Sequence, residues 1–336
     1  MKIYHNQNLK PYNTFAIAAR CRQLIEIENE QEVSLLFEQK IFDSSYLIIG
    51  GGSNMLFTQD FDGTVICFRT KGIKKVAETE EHVWIEVAAG EEWADFVSFC
   101  IKNQYYGVEN LVGIPGLVGS CPVQNIGAYS VEVKDVINQV YGYRIPTGEP
   151  FVLNHDDCQF AYRHSIFKST LKGKCLISRV QFQLSKKEHY TITYQGLIEE
   201  LKTKNCAITL ADVSDAILTV RNRKLPDISK IGCAGSFFQN PVIEESQFED
   251  LKVKFPQLIT FPQNEGKVKL AAGQLIELSG MKGVREGDVG VYPNQALVIV
   301  NYGNATGKEV QIFYQKVQKK VADMFGITIV PEVNIY

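Results

Sequence analysis

The chain has 336 residues, 45% of them hydrophobic and 22% charged, with a net charge of −3 at neutral pH. That length allows two or three globular domains with ample core. With charge this near to balance, nothing points to a surface built for nucleic acid or an anionic membrane. No apolar run approaches the ~20 residues needed to span a bilayer, and Met1–Asn6 lacks the apolar core of a signal peptide. The eight cysteines are scattered without a C-x-x-C pair, a usage that suits a reduced, cytosolic protein with neither zinc site nor disulfide frame. The five histidines show no metal-ligand spacing, so no metal is expected.

In chain order, Glu30–Lys40 has the pattern of a helix, with Val33, Leu36 and Phe37 on one face. Tyr46–Ile49 is predicted as a buried strand running into Gly50-Gly51-Gly52-Ser53-Asn54. This is no dinucleotide fingerprint, because Met55 stands at the third glycine position, and no Gly-Lys-Ser/Thr closes it as a Walker loop. Taken alone it is either a phosphate-binding turn or a plain β-turn. Thr64–Phe68 and Val83–Ala89 are predicted strands, the second alternating Val83, Ile85, Val87. Glu92–Lys102 is an amphipathic helix whose stripe of Trp93, Phe96, Val97, Cys100 and Ile101 is core.

Next comes Gly113 to Tyr129, rich in glycine, poor in charge and broken by Pro115 and Pro122. It is too irregular for a helix and too apolar for an ordinary surface loop. Its bare N–H groups and apolar residues suit a flat, phosphate-bearing ligand. A tight core crossover would have the same composition.

Strands are expected at Val136–Tyr143, Glu149–Leu153 and Cys175–Leu184, with Phe160–Ser165 interrupting the pattern. A helix is expected over Asp212–Arg223, ending before Leu225-Pro226-Asp227, a plausible domain boundary. A further glycine turn covers Gly232–Pro241. Ser246 with Glu249 forms an expected capping box for the helix that carries Phe248, Leu251 and Phe255. Lys269–Ser279 is expected helical and Ala296–Val300 a strand. Thr306 with Glu309 is expected to cap a longer helix ending at Gly326. Ile327–Val333 is expected to be a strand, at an edge or bulge because of Pro331.

Six stretches together carry a resemblance that covers essentially the whole chain. They are Tyr46–Asn54, Ile114–Gly116 with Gln124–Tyr129, Tyr162-Arg163, Lys224-Leu225-Pro226, Gly235–Pro241 and Pro331-Glu332-Val333. In this order they closely resemble the UDP-N-acetylenolpyruvoylglucosamine reductases, flavoenzymes of bacterial peptidoglycan precursor synthesis. The resemblance implies an α+β fold: a two-part FAD-binding domain of the vanillyl-alcohol-oxidase/PCMH type (residues 1–71 and 72–225) and a smaller α+β substrate-binding domain (226–325). Residues 326–336 would return to the FAD side with Glu332. It implies non-covalent FAD, NADPH as reductant, a UDP-sugar substrate and the cytoplasm. No membrane or nucleic-acid partner is expected, and a monomer is favoured.

The resemblance places Gly50, Gly51, Gly52, Ser53, Asn54, Ile114, Pro115, Gly116, Gly119, Ser120, Gln124, Asn125, Gly127, Ala128 and Tyr129 along the FAD. It places Tyr162, Tyr194, Lys224 and Asn240 on the substrate. Tyr194 resembles the tyrosine of a loop that closes over substrate in one of two subtypes. Arg163 suits a substrate carboxylate, because a guanidinium can grip it with two hydrogen bonds and keeps its charge. Ser236 suits delivery of a proton to an enolate-like carbon, a very strong base. A charged carboxylate would repel that growing anion. Glu332 is therefore expected to be neutral in the reacting complex and to donate a hydrogen bond. Cys121 and Cys233 stand where relatives usually carry Ser and Asn, and Cys233 is a candidate for oxidation sensitivity. Another flavoenzyme of the same binding fold, or a sugar-nucleotide-binding protein without turnover, are the alternatives.

Overall fold

The structure, a computed structural model, describes residues 1–202, 207–263 and 266–336. The chain divides into two units built from separated segments. The first comprises Met1–Gln7, Cys21–Gly51 and Asp62–Arg221, the second Asn8–Arg20, Gly52–Phe61 and Asn222–Tyr336.

Alternating sequence builds the larger sheet of the first unit. Val83, Ile85 and Val87 are fully buried along the strand His82–Ala88. That strand pairs antiparallel with Cys175–Ser185, setting Ile85 opposite Phe182 and Val87 opposite Val180. The order across the sheet is Pro150–Asn154, Ile137–Arg144, Cys175–Ser185, His82–Ala88, Ile73–Glu78. The helix Trp93–Lys102 lays its apolar stripe on the inner face, with Phe96 and Phe182 ring centroids 4.4 Å apart. The indole N–H of Trp93 donates to the Leu111 carbonyl at 2.9 Å, so this large ring is buried without an orphaned donor.

A four-stranded sheet runs in the order Lys2–Asn8, Arg20–Ile27, Phe61–Phe68, Tyr46–Ile49. Val33 and Leu36 pack on its Ile25, Ile27, Ile66 and Phe68. The helix expected over 30–40 is shorter than its pattern suggests. A 3₁₀ turn, Glu30–Glu32, precedes an α-helix of Val33–Glu38. The start is a capping box of Asn29 with Glu32. Two further helices, Gln195–Leu201 and Leu210–Lys224, pack Leu197 and Leu201 against Val213, Ala216 and Ile217.

The second unit holds, among the described residues, two small antiparallel sheets. One has the order Gly232–Cys233, Ile299–Asn301, Val289–Val291, Arg285–Glu286. The other has the order Val242–Glu244, Lys267–Leu270, Thr260–Pro262. The helix Gly307–Phe325 has the expected capping box of Thr306 and Glu309 and ends on Gly326 at φ 66°. Its Tyr314 ring lies 5.0 Å from that of Phe237.

Four expectations fail in this unit. The strand expected over Ala296–Val300 is confined to Ile299–Asn301. The helix Glu245–Lys254 has no side-chain cap, and Ser246 lies inside it. The Glu245 N–H is already taken by the Gly266 carbonyl at 2.8 Å, at the end of the sheet. The stretch expected as one helix over 269–279 is a strand, Lys267–Leu270, followed by a helix, Ala272–Leu278. Alternating Val268 and Leu270 are drawn into the sheet, and local helix propensity loses to that pairing. Ile327–Val333 is not a continuous strand. Pro331 makes a single bridge with Phe238, and the regular pairing comes later, Asn334–Ile335 running parallel to Met55–Leu56. Proline contributes no N–H to a ladder, and the Gln318 side chain takes the Ile329 carbonyl at 2.7 Å.

The cap of the long helix gives a stability test. Thr306→Ala removes the side-chain acceptor of the Glu309 N–H and is expected to lower unfolding free energy by about 1 kcal/mol in urea titrations.

Candidate active site

In the first unit the two glycine-rich stretches meet. The parallel pairing of Tyr46–Ile49 with Phe61–Phe68 sets Ile49 beside Cys67 and delivers Gly50 and Gly51 at the strand end. A Cβ on Gly51 would lie 2.7 Å from the Gly116 Cα, and one on Gly50 would lie 2.8 Å from the Ser120 Cβ. Only bare backbone fits there. The opposing stretch is fixed by main-chain hydrogen bonds. Trp93 N–H donates to the Gly116 carbonyl, Val118 N–H to Glu91 and Gly119 N–H to Ala89, each at 2.9 Å. Half-buried main chain from two turns, with only the small Ser120 side chain set against Gly50, is the surface a pyrophosphate or ring edge can approach.

Further along, Gly127–Ala128 and Val131–Glu132 form a tight hairpin, with Ala128 opposite Val131. Its two turn residues, Tyr129 and Ser130, both have positive φ, 49° and 68°, as a two-residue type I′ connection requires. Arg163 is carried to this hairpin. Ala161 and His164 bond to each other through both backbone groups, leaving Tyr162 and Arg163 at the tip of a turn. Arg163 Nη2 donates to the Gly127 carbonyl at 3.0 Å. The guanidinium lies 5.7 Å from the ring of Tyr162, which is 62% exposed.

The other side of the hairpin holds Tyr194. Its ring meets Tyr129 edge-on at 5.1 Å. The fully buried Asn110 donates to the carbonyls of Tyr129 at 2.8 Å and Thr191 at 2.9 Å, tying the hairpin tip to the loop before Tyr194. Burial pushes the Tyr129 phenol up, and the nearby Arg221 guanidinium opposes that shift. Arg221 also donates to the Gly113 carbonyl at 3.0 Å.

In the second unit Ser236 and Glu332 are neighbours. Glu332 N–H donates to the Phe237 carbonyl at 2.8 Å and Gln239 N–H to Val330 at 2.9 Å, so the Gly235–Asn240 segment runs antiparallel to 330–332. Ser236 is exposed and Glu332 half-buried. Gly52, at φ 64°, sits where any side chain would strike the Tyr12 carbonyl. Its own carbonyl accepts the Thr14 N–H at 3.1 Å. Thr14 then bonds both backbone groups of Cys233, accepting its N–H and donating Oγ1 to its carbonyl at 2.7 Å. Asn334 donates twice to the Asn54 carbonyl, next to Ser53. Backbone thus links Gly52–Asn54, Ser236 and Glu332. Asn240 caps the helix Ala272–Leu278, accepting the Ala272 N–H at 3.0 Å, which turns its amide NH2 the other way. Lys224 is exposed at the end of its helix.

Residues 227–336 match the model of the UDP-N-acetylenolpyruvoylglucosamine reductase C-terminal domain, and residues 22–152 match that of an FAD-binding domain. A UDP-N-acetylenolpyruvoylglucosamine reductase of Flavobacterium johnsoniae is 44% identical over the full length of both chains. The chain belongs to the UDP-N-acetylenolpyruvoylglucosamine reductase family. The reductase of Porphyromonas gingivalis is 41% identical over 99% of each chain. The crystal structure of UDP-N-acetylenolpyruvylglucosamine reductase from Thermus caldophilus superposes with a TM-score of 0.68, covering all of this chain and 98% of that one at 22% identity. That likeness establishes the shared fold, FAD-binding domain included.

Within this reductase fold the sequence pattern left out Thr14, Asn110 and Arg221. Thr14 and Arg221 act through partners remote in sequence, which no local pattern reveals. Asn110 had a signal, a polar pair with Glu109 inside the apolar run Val108–Val112, both of them buried. Burial raises the thiols of Cys121 and Cys233, so neither is poised as a thiolate. Cys67, Cys158 and Cys175 are pushed up to about 11, 12 and 11. Among the described residues no group of three or more His, Cys, Asp or Glu could hold a metal ion, and no helix is long and apolar enough to cross a membrane.

Two outcomes are expected. Gly51→Ala should force the two turns apart and weaken FAD at least about tenfold, read by flavin fluorescence on titration; a tenfold change corresponds to ~1.4 kcal/mol. Alkylation at pH 7 followed by peptide mass spectrometry should leave Cys121 and Cys233 largely unmodified until the protein is unfolded.

Proposed function

We propose that the chain reduces the enolpyruvyl group of UDP-N-acetylglucosamine enolpyruvate to UDP-N-acetylmuramate, using NADPH through FAD, for peptidoglycan precursor synthesis. Family membership over the whole chain supports the reaction. The observation that best supports the site is the backbone pairing of the Ser236 segment with Glu332, residues remote in sequence and joined by the bond from Glu332 N–H to Phe237.

FAD, when bound, supplies the ring that takes hydride from NADPH and gives it to the substrate. The close backbone approach of Gly50 and Gly51 to Gly116 and Ser120 fits such a cofactor. The other FAD contacts come from Gly52, Ser53, Asn54, Ile114, Pro115, Gly119, Gln124, Gly127, Ala128, Tyr129 and the backbone of Asn125. Residues 226–325 form the substrate lobe.

Arg163 grips the enolpyruvyl carboxylate, with one guanidinium nitrogen steadied by the Gly127 carbonyl. As hydride reaches the β-carbon, the carbon–carbon double bond opens and its electrons move toward the carboxylate. Arg163 stabilises that charge. Ser236 gives its hydroxyl proton to the α-carbon and is reprotonated from solvent. Glu332, neutral in the complex, donates a hydrogen bond to the carboxylate oxygens. Tyr162, Tyr194, Lys224 and Asn240 hold the UDP-sugar, Asn240 through the NH2 that its cap leaves directed away from Ala272. The enzyme acts in the cytoplasm as a monomer, without a nucleic-acid or membrane partner.

Half-reactions followed without oxygen test the roles. NADPH should bleach the flavin, and the enolpyruvyl nucleotide should restore its colour. In Ser236→Ala bleaching should persist while recovery slows by ~10²–10⁴-fold. Glu332→Gln should keep near-normal recovery, whereas retention only in Glu332→Asp would favour a charged role. Recovery by oxygen alone would point to an oxidase instead.

A further inference from the structure

Asn125 lies in the stretch that runs along the proposed cofactor site, yet its side chain has no donor left for a ligand. It is fully buried at φ 47°. One Nδ2 hydrogen goes to Glu132 Oε2 and the other to the Ala161 carbonyl, both at 3.0 Å. Its Oδ1 accepts the Lys134 N–H at 3.0 Å. Ala161 is the first residue of the turn that presents Tyr162 and Arg163. The far side of that turn is anchored by Ser165, also fully buried, whose Oγ donates to the Val123 carbonyl at 2.6 Å and accepts the Phe167 N–H. The turn therefore hangs on residues 123–127 by three bonds: Asn125 to Ala161, Ser165 to Val123, and Arg163 to Gly127. Arg163 itself has φ 53°, a conformation that non-glycine residues adopt only when their surroundings hold them in it.

We infer that Asn125 is a positioning residue for Arg163, holding the Arg163 turn in register with the cofactor-side stretch; this rests on the reading of Arg163 as the partner of the substrate carboxylate. Asn125 thus acts in substrate binding and reoxidation rather than in holding FAD through its side chain. Its residue type follows from the geometry. Only a side-chain amide offers two donors and an acceptor at this length, and asparagine tolerates the left-handed backbone.

Asn125→Asp keeps the size and the backbone tolerance but sets a carboxylate oxygen against the Ala161 carbonyl and the Glu132 carboxylate. The bound-flavin spectrum, the FAD dissociation constant and the rate of flavin reduction by NADPH should stay within about twofold of the parent. Affinity of the oxidised holoenzyme for UDP-N-acetylmuramate, read by calorimetry, should fall at least about tenfold. Reoxidation by the enolpyruvyl nucleotide should slow by about 10²-fold, the scale of a misplaced catalytic group. Arg163→Lys should show the same pattern, and the double variant should be no worse than Arg163→Lys alone.

Loss of FAD affinity, equal slowing of both half-reactions, or multiplied losses in the double variant would overturn the inference. If Arg163→Lys is impaired and Asn125→Asp is normal, the inference falls and the role of Arg163 stands. If Arg163→Lys reoxidises normally, the role of Arg163 and the inference fall together. Should Asn125→Asp not fold, Ser165→Ala, which cuts the second anchor, must show the same selective loss in milder form; normal reoxidation there contradicts the inference.

Discussion

The close approach of two glycine-bearing turns is the constraint on which the first unit is arranged. Gly51 can face the Gly116 backbone, and Gly50 the small Ser120 side chain, only because neither glycine carries a Cβ. Each turn is held by a different device. A parallel strand pair ends at Gly50, and main-chain hydrogen bonds with Ala89, Glu91 and Trp93 fasten 116–119. The apolar helix Trp93–Lys102 locks the second stretch to the sheet beneath it. Precision at the turns is thus inherited from ordinary core packing, where a shift of one methylene is felt.

The proposed chemical groups sit on short irregular segments, which are held by hydrogen bonds to their main-chain groups. Arg163 rides a four-residue turn anchored at both ends. Ser236 and Glu332 lie on two extended pieces that bond to each other. Thr14 bonds to Gly52 on one side and Cys233 on the other. Loops placed in this way can carry function without being soft. The tight fit also means that losing one buried hydrogen bond leaves an unsatisfied carbonyl, a cost of about 1–3 kcal/mol.

Much of the fold is legible in the sequence. The alternation of Val83, Ile85 and Val87, the stripe from Trp93 to Ile101 and the Thr306–Glu309 cap follow from local period and local hydrogen bonding. Expectations failed where a distant partner outbid a local signal. The helix begins at Glu245, whose N–H bonds the Gly266 carbonyl, so Ser246 falls inside it, and sheet pairing drew Lys269 and Leu270 out of the expected helix into a strand. The candidate site was legible as motifs, because glycine turns and the Tyr-Arg pair are contiguous. The supports for those motifs were not. Nothing near Asn125 announces that its amide reaches Ala161, and nothing near Thr14 announces Cys233. Such contacts exist only once the chain has folded.

The most direct test of the account is a crystal structure of the protein with FAD and the enolpyruvyl nucleotide bound. Main-chain contacts from Gly50–Gly51 and Gly116–Ser120 to the cofactor are expected. The substrate carboxylate should lie on the Arg163 guanidinium, with the Ser236 hydroxyl and the Glu332 carboxyl within hydrogen-bond or proton-transfer reach of the enolpyruvyl group. A cofactor bound away from both glycine turns, or a carboxylate held by other residues while Arg163 points elsewhere, would contradict it.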